Sequence, residues 1–165
     1  MFKRLRILVL LVILATVAQE AWLARTRSAS WRTSLQVAVY PINGDGSAAA
    51  ANYIASLDAD SFDSVEAFFD EEARRHGRDI YRPVEVALAP PLADQPPPPP
   101  ENASRLQSVL WSLRMRFWAW RHDEVPGMKP QVRLFVRYYD PDDHARLPHS
   151  VGVRKGMLGL VNAYA

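Results

Sequence analysis

Apolar positions recur along this chain with two different periods. Leu35-Gln-Val-Ala-Val-Tyr40 alternates over the length of a strand, and Pro41-Ile-Asn-Gly-Asp-Gly46 then predicts a turn. Helical spacing follows, with Ser47 as a cap and Tyr53, Ile54 and Leu57 continuing one face. Asp63-x-x-Glu66 has the form of a capping box ahead of Val65, Phe68, Phe69 and Ala73, and Gly77 can end that helix. Val84-Glu-Val-Ala-Leu88 reads as a second strand, which the prolines from Pro90 cannot continue. Ser104-x-x-Gln107 then starts a helix whose stripe of Leu106, Val109, Leu110, Leu113, Phe117 and Trp120, widened by Trp111 and Trp118, predicts a cover for the sheet with arginines over its rim; contact with anionic lipid, or a stacked nucleobase, is the alternative. Gln131 to Tyr139 is the strongest strand pattern, and the segment from Gly156 to Ala165 predicts an edge strand that leaves Leu158, Leu160 and Val161 poorly covered.

Neither period describes the first residues. Ile7 to Ala18 is one apolar run behind Lys3, Arg4 and Arg6, the pattern that the secretion machinery reads. The run itself has signal-peptide length. Counted from about Leu5 to Leu23, with Trp22 at headgroup level, it approaches the roughly 20 residues of a span. Residues 1–24 are therefore expected to be a signal-anchor or transmembrane helix with the amino end inside; cleavage after Ala18 and a buried soluble helix are the competing readings. No cysteine follows for a lipid anchor.

Composition narrows the classes further. Residues 25–165 suit one core, with the Pro-rich loop at 90–100 inside it as a stiff spacer; Pro96 to Pro100 as a ligand for an aromatic groove is the alternative. The absence of cysteine rules out disulfides and thiolate metal sites. Setting aside the leader, 17 basic residues face 17 acidic ones, so the body is formally neutral and no nucleic-acid partner is expected. Glu66, Asp70, Glu71 and Glu72 suit a solvated helix face near its positive end.

Candidate chemistry is sparse. Asp140, Asp142, Asp143, His144 and His149 are metal-ligand types gathered in one loop, but the five-residue step between the histidines with Pro148 between them lacks helical zinc spacing. Asn43-Gly44-Asp45-Gly46 lacks the length and lysine of a phosphate loop and reads as a tight turn. His76 beside Gly77 suits a helix end, and no serine sits in a Gly-x-Ser-x-Gly elbow. The sequence thus names no catalytic, cofactor-binding or metal residue.

Trp31, Val37-Ala-Val-Tyr-Pro-Ile-Asn-Gly-Asp-Gly46, Trp111-Ser-Leu-Arg114, Phe135-Val-Arg-Tyr138, His149-Ser-Val-Gly-Val-Arg-Lys-Gly156 and Val161-Asn-Ala-Tyr-Ala165 together resemble an uncharacterised family of membrane-anchored, zincin-like bacterial proteins. The resemblance spans nearly the whole chain. It implies a metallopeptidase whose zinc-binding His-Glu-x-x-His helix follows the segment matching Val161 to Ala165, so that residues 25–165 would be the incomplete upper part of such an enzyme. None of the four histidines matches a ligand in that motif.

The expectation is thus an α/β, zincin-like domain with a mixed sheet and covering helices, behind a membrane helix that holds it on the periplasmic side of a bacterial inner membrane. Three readings stay open: a metallopeptidase-type protein lacking its zinc helix, a non-enzymatic module binding an extended polypeptide at an exposed edge strand, and an enzyme built on His144, His149 and nearby aspartates. Zinc is implied only for complete family members.

Overall fold

The structure, a computed structural model, describes residues 34–100, 104–122, 125, 127–153 and 157–165, with residues 6, 7, 10–12, 14, 15, 18 and 19 nearer the amino end. Much of the expected membrane helix, and Trp31, lie outside the described residues. The described positions between Arg6 and Gln19 are helical, and Ile7, Leu10, Leu11, Val12 and Leu14 are exposed. Among the described residues no helix is long and apolar enough to cross a membrane.

Five strands form one mixed sheet. They are β1 (Leu35–Asn43), β2 (Val84–Leu88), β3 (Val132–Tyr139), β4 (Val151–Val153) and β5 (Leu158–Tyr164), in the order β2-β1-β3-β5-β4. All pairs are parallel except β4 with β5. Among the described residues from Ser34 on, three helices accompany them: α1 (Ala48–Ser56), α2 (Asp63–Arg75) behind a 3-10 turn at Ala59–Phe62, and α3 (Arg105–Arg121). The α/β class is as expected.

Alternation along β1 divides the core in two. Ala38, Tyr40 and Ile42 point to one side, where they meet Phe135, Leu158, Leu160 and, from α3, Met115 and Ala119. Val39 points to the other, with Val136 and Tyr138 against Ala50 and Ile54 of α1. The first cluster is anchored by rings: Tyr40 stacks on Phe135 at 4.8 Å, and Trp118 meets Phe135 edge-on at 4.9 Å.

Local signals placed most helix ends correctly. Ser47 Oγ accepts from Ala50 N, and Ser104 and Gln107 complete their reciprocal box. Gly77, at φ +65°, ends α2 with Gly77 N donating to Arg74 O and Arg78 N to Ala73 O. At the other end of α2 the expectation fails. The capping box is Asp58 with Ser61, one turn earlier, and Glu66 reaches out of the helix to accept the Val86 N–H at 2.7 Å.

Three further expectations are corrected. The turn expected from Pro41 begins only after Asn43, because Pro41's nitrogen faces the β2 side beyond the end of β2 and its ring costs no bond between the paired strands; its carbonyl accepts from Leu92. Helix α3 does cover the sheet, but through Trp111, Met115, Trp118 and Ala119, while the stripe from Leu106 to Trp120 faces outward. Small Ala119 and pliable Met115 let the helix axis approach the sheet more closely than the bulkier stripe would. Finally, β5 is an interior strand: β4 occupies the edge, and Leu158 and Leu160 are buried beneath α3's side of the sheet.

Candidate functional site

The carboxyl ends of parallel strands are where open α/β sheets gather function. Here β1, β3 and β5 bring three polar features together.

The first is the turn after β1. Asn43 Oδ1 accepts from Gly46 N and its Nδ2 donates to Ser47 O, while Asp45 Oδ1 accepts from Ser47 N. Gly44 donates its N–H to Tyr138 O; a Cβ at Gly44 would lie 2.7 Å from the Tyr139 ring. Only glycine permits that approach. Since the turn's own amides are committed, it serves as a tight turn and offers no phosphate cradle.

Asp45 then joins the second feature, the Asp140 to His149 loop. Its Oδ2 accepts from Asp140 N at 2.7 Å and lies 3.4 Å from His144 Nε2. Partial desolvation would raise the carboxyl's pKa, but the N–H donors of Asp140 and Ser47 outweigh it and hold it at about 2. His144 also stands edge-on to the Tyr139 ring at 5.1 Å. Asp140 Oδ1 accepts from Asp142 N, closing the loop's first turn. Burial raises the pKa of the Tyr139 hydroxyl, with nearby Arg137 opposing and Asp45 assisting.

Asn162 of β5 makes the third. Its Oδ1 accepts from Arg137 Nε at 2.9 Å and from Tyr139 Oη at 3.4 Å, and its Nδ2 donates to the carbonyls of Pro148 and His149. The Asn162 N–H goes to Ser150 Oγ. One side chain thereby ties the loop before β4 to the centre of the sheet. The sequence marked Asp45 only as part of a turn and Arg137 and Asn162 only as positions in strand patterns, and no spacing linked the three.

The loop candidates are thus brought near one another without converging. His144 turns to Asp45, whereas His149 is exposed and contributes its carbonyl to Asn162. Elsewhere His76 approaches Glu72 at 3.5 Å, and His122 sits between Trp118 O and Asp94. Among the described residues no three ligand-type side chains gather to hold a metal ion.

The two sheet edges differ. At β2, Glu66 takes the outward Val86 N–H. At β4, hydrogen-bond alternation decides which residue faces out. Met157 O and Ala165 N bond to β3, so Leu158 and Leu160 face β4, where they pair with Val153 and Val151. Gly152 lies between and directs its N–H and C=O away from the sheet. A Cβ at Gly152 would meet nothing within 4 Å.

Comparison with protein-family models, with characterised proteins and with solved structures finds no match to this chain.

Proposed function

We propose that this chain is a membrane-anchored, extracytoplasmic protein of the zincin-like metallopeptidase type, and that its β4 edge receives an extended polypeptide by backbone pairing. The difference between the two edges carries the reading. Glu66 closes β2, whereas β4 is the single antiparallel strand, lies at the margin, and presents Gly152 without a side chain in the way. Zinc, implied by the family resemblance, finds no fitting ligand set among the described residues. The open Gly152 position equally suits a second reading, a non-enzymatic holder of polypeptide that uses the same edge.

Gly152→Pro tests the shared element, since proline removes the outward N–H and is tolerated where an edge strand faces solvent. The full chain in detergent should bind a labelled, unfolded polypeptide, and Gly152→Pro should weaken that binding at least several-fold with an unchanged unfolding curve. Undiminished binding by the variant would sink strand addition. Chelator-sensitive cleavage of the bound polypeptide separates the peptidase from the holder. For location, a reporter fused after Ala165 should be exported with the membrane fraction, and Leu10→Arg with Val12→Arg should abolish export, as each charge costs about 2.5–3.5 kcal/mol at a segment centre.

A further inference from the structure

Helix α3 has two apolar faces and the sheet uses one. At about 100° per residue, Trp111, Met115, Trp118 and Ala119 fall on the side packed against the sheet. Leu106, Val109, Leu110, Leu113, Phe117 and Trp120 fall opposite, within an arc of about 100°. Their exposures run from 49 % to 72 %, values that leave large side chains in water. The stripe is roughly 21 Å long.

Charge restricts what can cover it. Arg105 and Arg116 line one flank and Arg114 and Arg121 the other, all exposed, and the helix contains no acidic residue. A second copy docked by the same stripe would set arginine rim against arginine rim with no carboxylate of the helix between them. The chain's own apolar leader, which begins Lys3, Arg4 and Arg6, brings more positive charge to the same place. An anionic, apolar-centred surface suits both features at once: leucine, phenylalanine and tryptophan enter the acyl boundary while arginines on both sides reach back to phosphate.

We infer that the outer face of α3 lies in the interface of an anionic lipid bilayer, as a second membrane contact besides the amino-terminal segment. The contact is independent of strand addition, since Gly152→Pro leaves α3 untouched. It would hold the protein flat on the membrane instead of letting it swing on its leader.

The chain has no cysteine, so single cysteines report unambiguously. Full-length Leu113→Cys carrying an environment-sensitive fluorophore, added to vesicles of phosphatidylglycerol and phosphatidylcholine, should shift to the blue and be quenched by lipid-borne nitroxide several-fold more than in phosphatidylcholine alone. The same label at Asn52→Cys, on α1 across the sheet, should remain unquenched in both. Each arginine near a charged surface contributes about fivefold, so adding Arg105→Gln and Arg116→Gln should lower the docked-to-undocked ratio about 30-fold. Equal quenching in both lipids, or a label at 113 still open to aqueous iodide on anionic vesicles, overturns the inference. Disulfide-linked dimers of unlabelled Leu113→Cys would assign the face to a second copy, and protection by polyglutamate but not by vesicles would assign it to an acidic protein.

Discussion

The Asp45 carboxylate accepts the Asp140 N–H at 2.7 Å, joining the turn after β1 to the loop after β3 across 95 residues of sequence. Its pKa is held near 2 in the folded chain against an ordinary 3.8. The folded state therefore gains stability from ionised Asp45 above pH about 4, and loses it as pH falls toward about 2, where the unfolded chain binds the proton first. Solvent around the exposed turn limits the gain to about 1 kcal/mol. Urea unfolding of wild type and Asp45→Asn from neutral to acid pH should show the gap closing as pH falls; a gap that widens toward acid would refute the assignment.

Glu66 guards the β2 edge. Glu66→Ala leaves the Val86 N–H without its partner and should cost about 1–3 kcal/mol. Because the edge is then open, the variant should also self-associate more at equal concentration, as sedimentation would report. Glu66→Gln keeps an acceptor oxygen and should recover most of the loss.

Glycines separate by what surrounds them. A Cβ at Gly44 would lie 2.7 Å from the Tyr139 ring and 2.9 Å from the Tyr138 carbonyl oxygen, so Gly44→Ala should destabilise by about 1–3 kcal/mol through overpacking. Gly152→Ala, with open space around it, should stay within about 0.5 kcal/mol in the same denaturant titration. Equal costs at the two positions would contradict this packing.

Burial reverses the effect expected of a charge at Leu160. An exposed edge would make Leu160→Lys solubilising, but Leu160 is 1 % exposed in the core and the substitution should unfold the chain or cost more than about 3 kcal/mol. Met115→Ala should cost about 2–5 kcal/mol, whereas Leu113→Ala, on the outer stripe of the same helix, should change stability in detergent-free solution by less than about 0.5 kcal/mol. Thermal melts of the three variants decide this directly.

What could be read without tertiary structure was whatever depends on neighbours a few residues away. The strand patterns ending at Tyr40, at Leu88 and at Tyr139, the cap at Ser47, the Ser104–Gln107 box and the glycine stop at Gly77 arise from backbone periodicity and from bonds spanning three to five residues. Where several local solutions are equally good, tertiary structure chose among them. Both faces of α3 are apolar at helical spacing, so periodicity could not say that Met115 and Ala119 would enter the core and Leu113 would not. Strand order was equally hidden, because nothing local to Leu158–Tyr164 announces that β4 will pair outside it. The Asp63-x-x-Glu66 pattern met a local rule, yet Glu66 bonds Val86, twenty residues on, because an unpaired edge N–H offers a charged acceptor more than the helix end does. Asp45, Arg137, Tyr139 and Asn162 assemble only when parallel strands lie in register, and chemistry built from distant residues leaves no spacing in the chain to be read.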